Sequence, residues 1–257
     1  KLGVPLIMDN TACPVLCRPL DHGAAIVVYS TTKYIGGHGT SIGGLVVDGG
    51  NFDWEAHSDR FPMLNQPDPS YHGAVWTEAV KPMGPIAYII KMRVTLLRDL
   101  GAAMAPFNAF MFLQGLETVS LRIREHSKNA AAVANFLSKR DDVITVIYPT
   151  LHADKESKAR TAKYLSGGCG GLVGFELKGG SDEGRAFIDA LGMHYHVANI
   201  GDARSLAIHP ATTTHSQLTP EEQVASGVTD SYVRLSVGIE HIDDILADLS
   251  QALDKAS

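Results

Sequence analysis

A chain of 257 residues with 45% hydrophobic and 19% charged content is long enough to bury a substantial core, in one large domain or two smaller ones. Its formal net charge of −6 argues against a basic nucleic-acid-binding surface. No run approaches the roughly 20 consecutive apolar residues of a membrane helix, so neither a nucleic-acid nor a membrane partner is expected.

Three cysteines, Cys13, Cys17 and Cys169, are too few and odd in number for a disulfide scaffold, and no signal-peptide pattern is present. Cys13 and Cys17 lack the second pair a metal site would want, and structural thiols are the simpler reading. A cytoplasmic location is expected.

In chain order, Val-Pro-Leu-Ile-Met at 4–8 reads as a buried strand that stops at Asp9-Asn10-Thr11. Pro14 and Pro19 interrupt the next stretch, which weakens a reading of Asp9 as a helix N-cap. Residues 24–29 form a second buried strand and 43–48 a third. The connection between those two is too short for a comfortable crossover helix, so they are expected to be antiparallel.

Directly after the second strand comes Tyr-Ser-Thr-Thr-Lys-Tyr-Ile-Gly-Gly-His-Gly at 29–39, the most informative stretch of the chain. It delivers the hydroxyls of Ser30 and Thr32 and then the amine of Lys33 onto a glycine-rich turn. Hydroxyls and turn N–H groups hold phosphate oxygens, and a lysine amine condenses with an aldehyde. An ordinary surface lysine after a strand would give the same local pattern. Asp9 tips the balance: in open α/β sheets ligands sit beyond the carboxyl ends of strands, where Asp9 and Lys33 both fall. A carboxylate there can pair with a protonated pyridine nitrogen, and lysine with such a carboxylate is a recurring pyridoxal phosphate (PLP) pair. His38, among the glycines, reads as a packing or hydrogen-bonding residue.

From 49 to 84 periodicity is lost amid Gly, Pro, Asp and His, a long excursion for a compact domain. Its Trp54, Phe61, Tyr71 and Trp76 read as loop packing. Pro85 precedes an expected helix at 86–104, and a second helical stretch at 106–115 leads to Gly115. The domain boundary is placed there, giving 1–117 and 118–257. The second part reads as helix 118–139, strand 143–148, helix 154–166, strand 172–177, helix 182–191, strand 232–237 and helix 241–254. Such an order makes a largely antiparallel sheet covered by helices. His194, His196, His209 and His215 lack a compact metal spacing, and no metal is expected.

Three motifs together, Val-Pro-Leu-Ile-Met-Asp-Asn-Thr, Ser-Thr-Thr-Lys-Tyr-Ile-Gly-Gly-His and, at 232–240, Tyr-Val-Arg-Leu-Ser-Val-Gly-Ile-Glu, resemble the Cys/Met-metabolism PLP enzymes, and within them the O-acetylhomoserine sulfhydrylase branch. The long 49–84 segment favours that branch over the family's lyases. The resemblance implies an α/β fold of PLP-dependent transferase fold type I, with 1–117 the later part of the cofactor domain and 118–257 the small C-terminal domain. It implies PLP held covalently on the catalytic Lys33 and contacted by Asp9, Thr11, Ser30 and Thr32. For the amino-acid substrate it implies Arg234 on the α-carboxylate, with Asn199, where the family often has serine, and Thr214 as further contacts. An arginine fork suits a carboxylate, although a lone strand arginine is also a common surface ion pair. Arg204 reads as a surface residue.

The implied activity is replacement of the γ-acetyl group of O-acetyl-L-homoserine by sulfide or a small thiol, giving homocysteine for methionine biosynthesis. A cystathionine or methionine γ-lyase or a cystathionine γ-synthase would share these residues, and a non-catalytic interaction module on a PLP fold is the alternative outside the class. The resemblance covers only the later part of such an enzyme. An N-terminal segment of the same enzyme is therefore expected as a partner, in a homotetramer built as a dimer of dimers.

Overall fold

The computed structural model describes residues 2–256, which divide into two compact units. The first comprises Lys1–Thr11, Arg18–Thr31 and Ile42–Met111; the second comprises Ala12–Cys17, Thr32–Ser41 and Phe112–Ser257.

In the first unit β1 (Ile7–Asp9), β2 (Ile26–Ser30) and β3 (Gly44–Asp48) form a sheet in that order. β1 runs parallel to β2, and β3 antiparallel to it, as the short β2–β3 connection requires. The apolar run at 4–8 was expected to be buried, and here the structure differs. Among the described residues β1 pairs with β2 alone, and Leu6, Ile7 and Met8 are 48%, 51% and 38% exposed. Of the sheet, it is β2 that enters the core, with Ile26 and Val27 fully buried.

The aperiodic segment after β3 folds as short turns, with α1 (Pro62–Asn65) and α2 (Trp76–Ala79) among them. Trp54, Leu64, Trp76 and Val80 pack with Ala25 and Ile26, and Phe52 and Phe61 meet Trp54 edge-on. Asp68 organises the polar side of this packing. It accepts from the backbone N–H and hydroxyl of Ser70 and from Trp76 Nε1, and it forms a buried ion pair with Lys91. Lys91 first, then the Ser70 hydroxyl and the Trp76 indole, hold its carboxyl well below the usual range.

The expected helix at 86–104 is α3 (Ala87–Lys91), a π-helical stretch at Met92–Leu97, and α4 (Arg98–Leu100). It stops at Gly101, whose φ of +68° is left-handed. The two helices expected at 106–115 and 118–139 are one, α5 (Pro106–Leu137). Gly115 does not break it. A Cβ there would lie 2.3 Å from Ile35 O and 2.8 Å from Gly36 O, so the missing side chain lets helix and loop backbones touch.

The second unit continues with β4 (Val143–Ile147), α6 (Lys155–Tyr164), β5 (Leu172–Leu177), α7 (Ser181–Ala190), β6 (Tyr195–His196), β7 (Leu206–Ile208), α8 (Pro220–Ala225), β8 (Tyr232–Ser236) and α9 (Ile242–Ala256). The sheet order is β4-β5-β8-β7-β6, antiparallel throughout except for β6–β7. Val173, Phe175, Val233 and Leu235 from the sheet meet Val133 and Leu137 of α5, Phe187 of α7, and Ile245, Leu249 and Leu253 of α9. None is more than 1% exposed, and each contributes about 1.5–3 kcal/mol by burial. Asp154 caps α6 through Ser157 N, and Thr219 with Glu222 forms a capping box on α8.

Candidate active site

Parallel pairing of β1 and β2 places their carboxyl ends on the same side of the first unit's sheet. Asp9 closes β1 and Ser30 closes β2. Thr11 links them: its N–H donates to Asp9 Oδ1 at 2.9 Å, and its hydroxyl accepts from Ser30 N at 2.8 Å. Asp9 is exposed, so its carboxylate is open to a ligand. Asp9, Thr11 and Ser30, read from the sequence as one set, are thus one hydrogen-bonded set.

Thr32 and Lys33 begin the segment assigned to the second unit. Lys33 O accepts from Gly37 N at 2.7 Å, which closes the turn after the lysine. Lys33 Nζ donates to Asn199 Oδ1 at 2.5 Å, and the Asn199 main-chain oxygen accepts from Arg234 Nη2 at 3.3 Å. Burial, and secondly the charge of Arg234, lower the Lys33 pKa. Arg234 stands on β8, with its Nε buried and without an acceptor. Among the described residues no carboxylate forms an ion pair with Lys33 or Arg234. Two neighbouring cations, one carrying an unused buried donor, make a receptor for an anion, and the planar fork of arginine suits a carboxylate.

The rest of the surroundings hold this arrangement. Ala203 N donates to Gly37 O at 2.8 Å, joining the turn to the 199–205 loop. Asp202 is buried and accepts from Arg204 N, and a Cβ at Gly39 would meet its Oδ2 at 2.9 Å. Arg204 lies over the Tyr195 ring at 4.9 Å, on the surface as expected. Tyr34 is buried against His126, edge to face at 5.2 Å, and burial raises its pKa so that it stays a neutral phenol.

Thr214 is exposed and its hydroxyl faces His215 Nδ1 at 2.9 Å; it makes no hydrogen bond to Lys33, Asn199 or Arg234. Thr212 and Thr213 bond to His209 instead. His38 Nδ1 lies 2.8 Å from Gly36 O, a hydrogen-bonding role. His194 is paired with Asp248 at 2.7 Å. Among the described residues no three of His, Cys, Asp and Glu are grouped to hold a metal, and no helix is long and apolar enough to cross a membrane.

Sequence reading missed Arg122. Its guanidinium is buried and donates to the carbonyls of Tyr34, Ile35 and Gly115. A signal was present: Gly115, Val119, Arg122, Ile123 and His126 fall at helical spacing on the inward stripe of α5.

Comparison with known proteins gives a consistent result. A family model described as "Cys/Met metabolism PLP-dependent enzyme" matches residues 1–254. O-acetyl-L-homoserine sulfhydrylase of Leptospira meyeri is 52% identical over 259 residues, covering 98% of this chain and 58% of the relative. Homocysteine synthase of Schizosaccharomyces pombe is 51% identical over 256 residues, covering 99% of this chain and 59% of the relative. A crystal structure from Campylobacter jejuni, assigned as an O-acetylhomoserine (thiol)-lyase and containing pyridoxyl-lysine-5'-monophosphate, superposes with a TM-score of 0.89 at 41% identity. The match covers 98% of this chain and 59% of that one. The chain therefore spans under two thirds of the length of these relatives.

Proposed function

Because this chain belongs to the Cys/Met metabolism PLP-dependent enzyme family, we propose that it is the part of an O-acetylhomoserine sulfhydrylase that carries the catalytic lysine and the substrate-carboxylate arginine. The observation that supports it best is the pairing of Lys33 and Arg234 through Asn199, with no carboxylate among the described residues in an ion pair with either cation.

The residues present fit the cofactor. Lys33 offers an amine of lowered pKa, Asp9 an exposed carboxylate at a strand end, and Ser30 and Thr32 hydroxyls just before the lysine in sequence. When bound, PLP supplies an electron sink for the carbon that loses its proton. Asp9 would keep the pyridine nitrogen protonated, and Ser30, Thr32 and Thr11 would hold the cofactor through their hydroxyls. Arg234 grips the α-carboxylate of O-acetyl-L-homoserine and so aims Cα–H at Lys33 Nζ. Nζ, whose pKa burial and then Arg234 lower, would take the Cα proton and then move a proton at Cβ. Asn199 Oδ1 holds Nζ in line for both transfers. Acetate leaves Cγ, sulfide adds there, and homocysteine results.

A polypeptide preceding this chain in the same enzyme would cover the exposed apolar residues of β1 and supply further cofactor contacts. A homotetramer in the cytoplasm completes the reading. The test offers the intact enzyme sulfide with O-acetylhomoserine, and separately cystathionine and methionine. Homocysteine formation dominating over both eliminations supports the reading, and preferential breakdown of cystathionine or methionine assigns a lyase instead.

A further inference from the structure

Arg122 makes four side-chain hydrogen bonds, two to the turn that follows Lys33 and two within α5. Nη1 donates to Tyr34 O at 2.6 Å, Nη2 to Ile35 O at 2.9 Å and to Gly115 O at 2.7 Å, and Nε to Thr118 Oγ1 at 3.2 Å. The residue is only 6% exposed, and among the described residues no carboxylate pairs with it. A buried guanidinium without a counter-ion is costly unless its nitrogens find acceptors, and here main-chain carbonyls and one hydroxyl accept from all three. Tyr34 and Ile35 are the two residues immediately after Lys33.

Two glycines are shaped around the same group. A Cβ on Gly37 would fall 2.2 Å from Arg122 Nη1, and one on Gly115 would strike Ile35 O and Gly36 O at 2.3 and 2.8 Å. Gly37 also has φ +72° and returns its N–H to Lys33 O. The turn after Lys33 is thus held by Arg122 and α5, and also by Ala203 N on Gly37 O.

We infer that Arg122 is a positioning residue for Lys33: its planar fork fixes the carbonyls of Tyr34 and Ile35, and through them directs Lys33 Nζ onto Asn199 Oδ1. Lysine cannot replace it, because a single ammonium does not reproduce donors spread across three converging carbonyls and a hydroxyl. The inference rests on Lys33 being the working amine, and part of its test is independent of turnover.

Arg122→Lys is compared with wild type in the intact enzyme. In the loaded form kcat falls by about tenfold or more while KM for the amino-acid substrate changes less than about threefold, the signature of a misplaced group rather than weakened binding. In the cofactor-free form, amide exchange at Ile35–Gly37 speeds up by about tenfold or more, and Lys33 Nζ changes its rate of reductive methylation. Gly115→Ala pushes the same turn from the helix side and gives the same pattern. A folded Arg122→Lys protein with unchanged kcat, exchange and Lys33 reactivity overturns the inference. If that variant does not fold, Thr118→Val, which removes the Nε acceptor together with the Thr118 hydroxyl's bond to Gly115 O and leaves the guanidinium in place, decides: a smaller change in the same direction supports the role, and none overturns it. Failure of the proposed substrate assignment would instead leave the exchange and methylation differences in place.

Discussion

Asn199 joins two cations of the second unit, its side-chain oxygen accepting from Lys33 Nζ at 2.5 Å and its main-chain oxygen from Arg234 Nη2 at 3.3 Å. Lysine and arginine come from a turn and a strand far apart in sequence, and one loop residue sets their spacing. Asn199→Ala removes the side-chain bond alone. Hydrogen bonds to charged groups are worth about 1.5–3 kcal/mol, so kcat is expected to fall about ten- to a hundredfold. Asn199→Asp keeps an acceptor but adds a negative charge, which raises the Lys33 pKa and moves the rising limb of the pH–rate profile to higher pH. A profile that stays in place contradicts the contact.

Arg234 contributes to the Lys33 pKa and, in this account, to substrate binding. Arg234→Met takes away the second cause of the lowering and leaves burial, the larger one. Lys33 should then titrate higher than in wild type but still below the ordinary 10.5. KM for O-acetylhomoserine should rise about tenfold or more through loss of the fork, with cofactor content little changed. Loss of cofactor at constant KM would reassign Arg234. The measurement is steady-state kinetics alongside bound-cofactor absorbance.

Asp9→Ala should weaken retention of the cofactor and slow proton removal by about ten- to a hundredfold, since the ring nitrogen loses its charged partner. Thr11 and Ser30 keep their own bond, Ser30 N to Thr11 Oγ1, so the strand ends stay in place. Equilibrium dialysis against PLP reads the affinity directly. An unchanged affinity and rate would remove Asp9 from the site.

Several of these groups were legible in the sequence because they lie in short, contiguous motifs. Asp9 ends an apolar run, and Lys33 follows another within a glycine-rich turn; local pattern sufficed for both. β4, β5, α7 and α9 were legible because their apolar spacing is regular over five residues or more. β6 and β7 were not: they span Tyr195–His196 and Leu206–Ile208, too short to show a period. Gly115 misled, because a glycine reads as a break when only the chain is seen and as a close packing contact once Ile35 is beside it. Exposure of β1 was likewise invisible, since an apolar run carries no record of how many neighbours its strand has.

His126 should make stability fall on the acid side. It is fully buried with Nδ1 2.7 Å from Val237 O, and burial, aided by the charge of Arg122, lowers its pKa below the ordinary 6.5. The unfolded chain therefore binds the proton first as pH drops, and stability declines as pH falls through and below 6.5. His209, lowered by burial, adds in the same direction. Urea unfolding at about pH 7.5 and about pH 5.5 should show a smaller loss for His126→Gln than for wild type. Equal losses would mean that His126 does not titrate in this range.

If Lys33 holds the cofactor, the attachment can be fixed chemically. Borohydride reduction of the loaded, intact protein, followed by peptide mass mapping, should place the phosphopyridoxyl mass on the peptide containing Lys33, and Lys33→Ala should abolish the adduct and turnover together. An adduct on a different lysine, or undiminished turnover by Lys33→Ala, would remove Lys33 from the cofactor site.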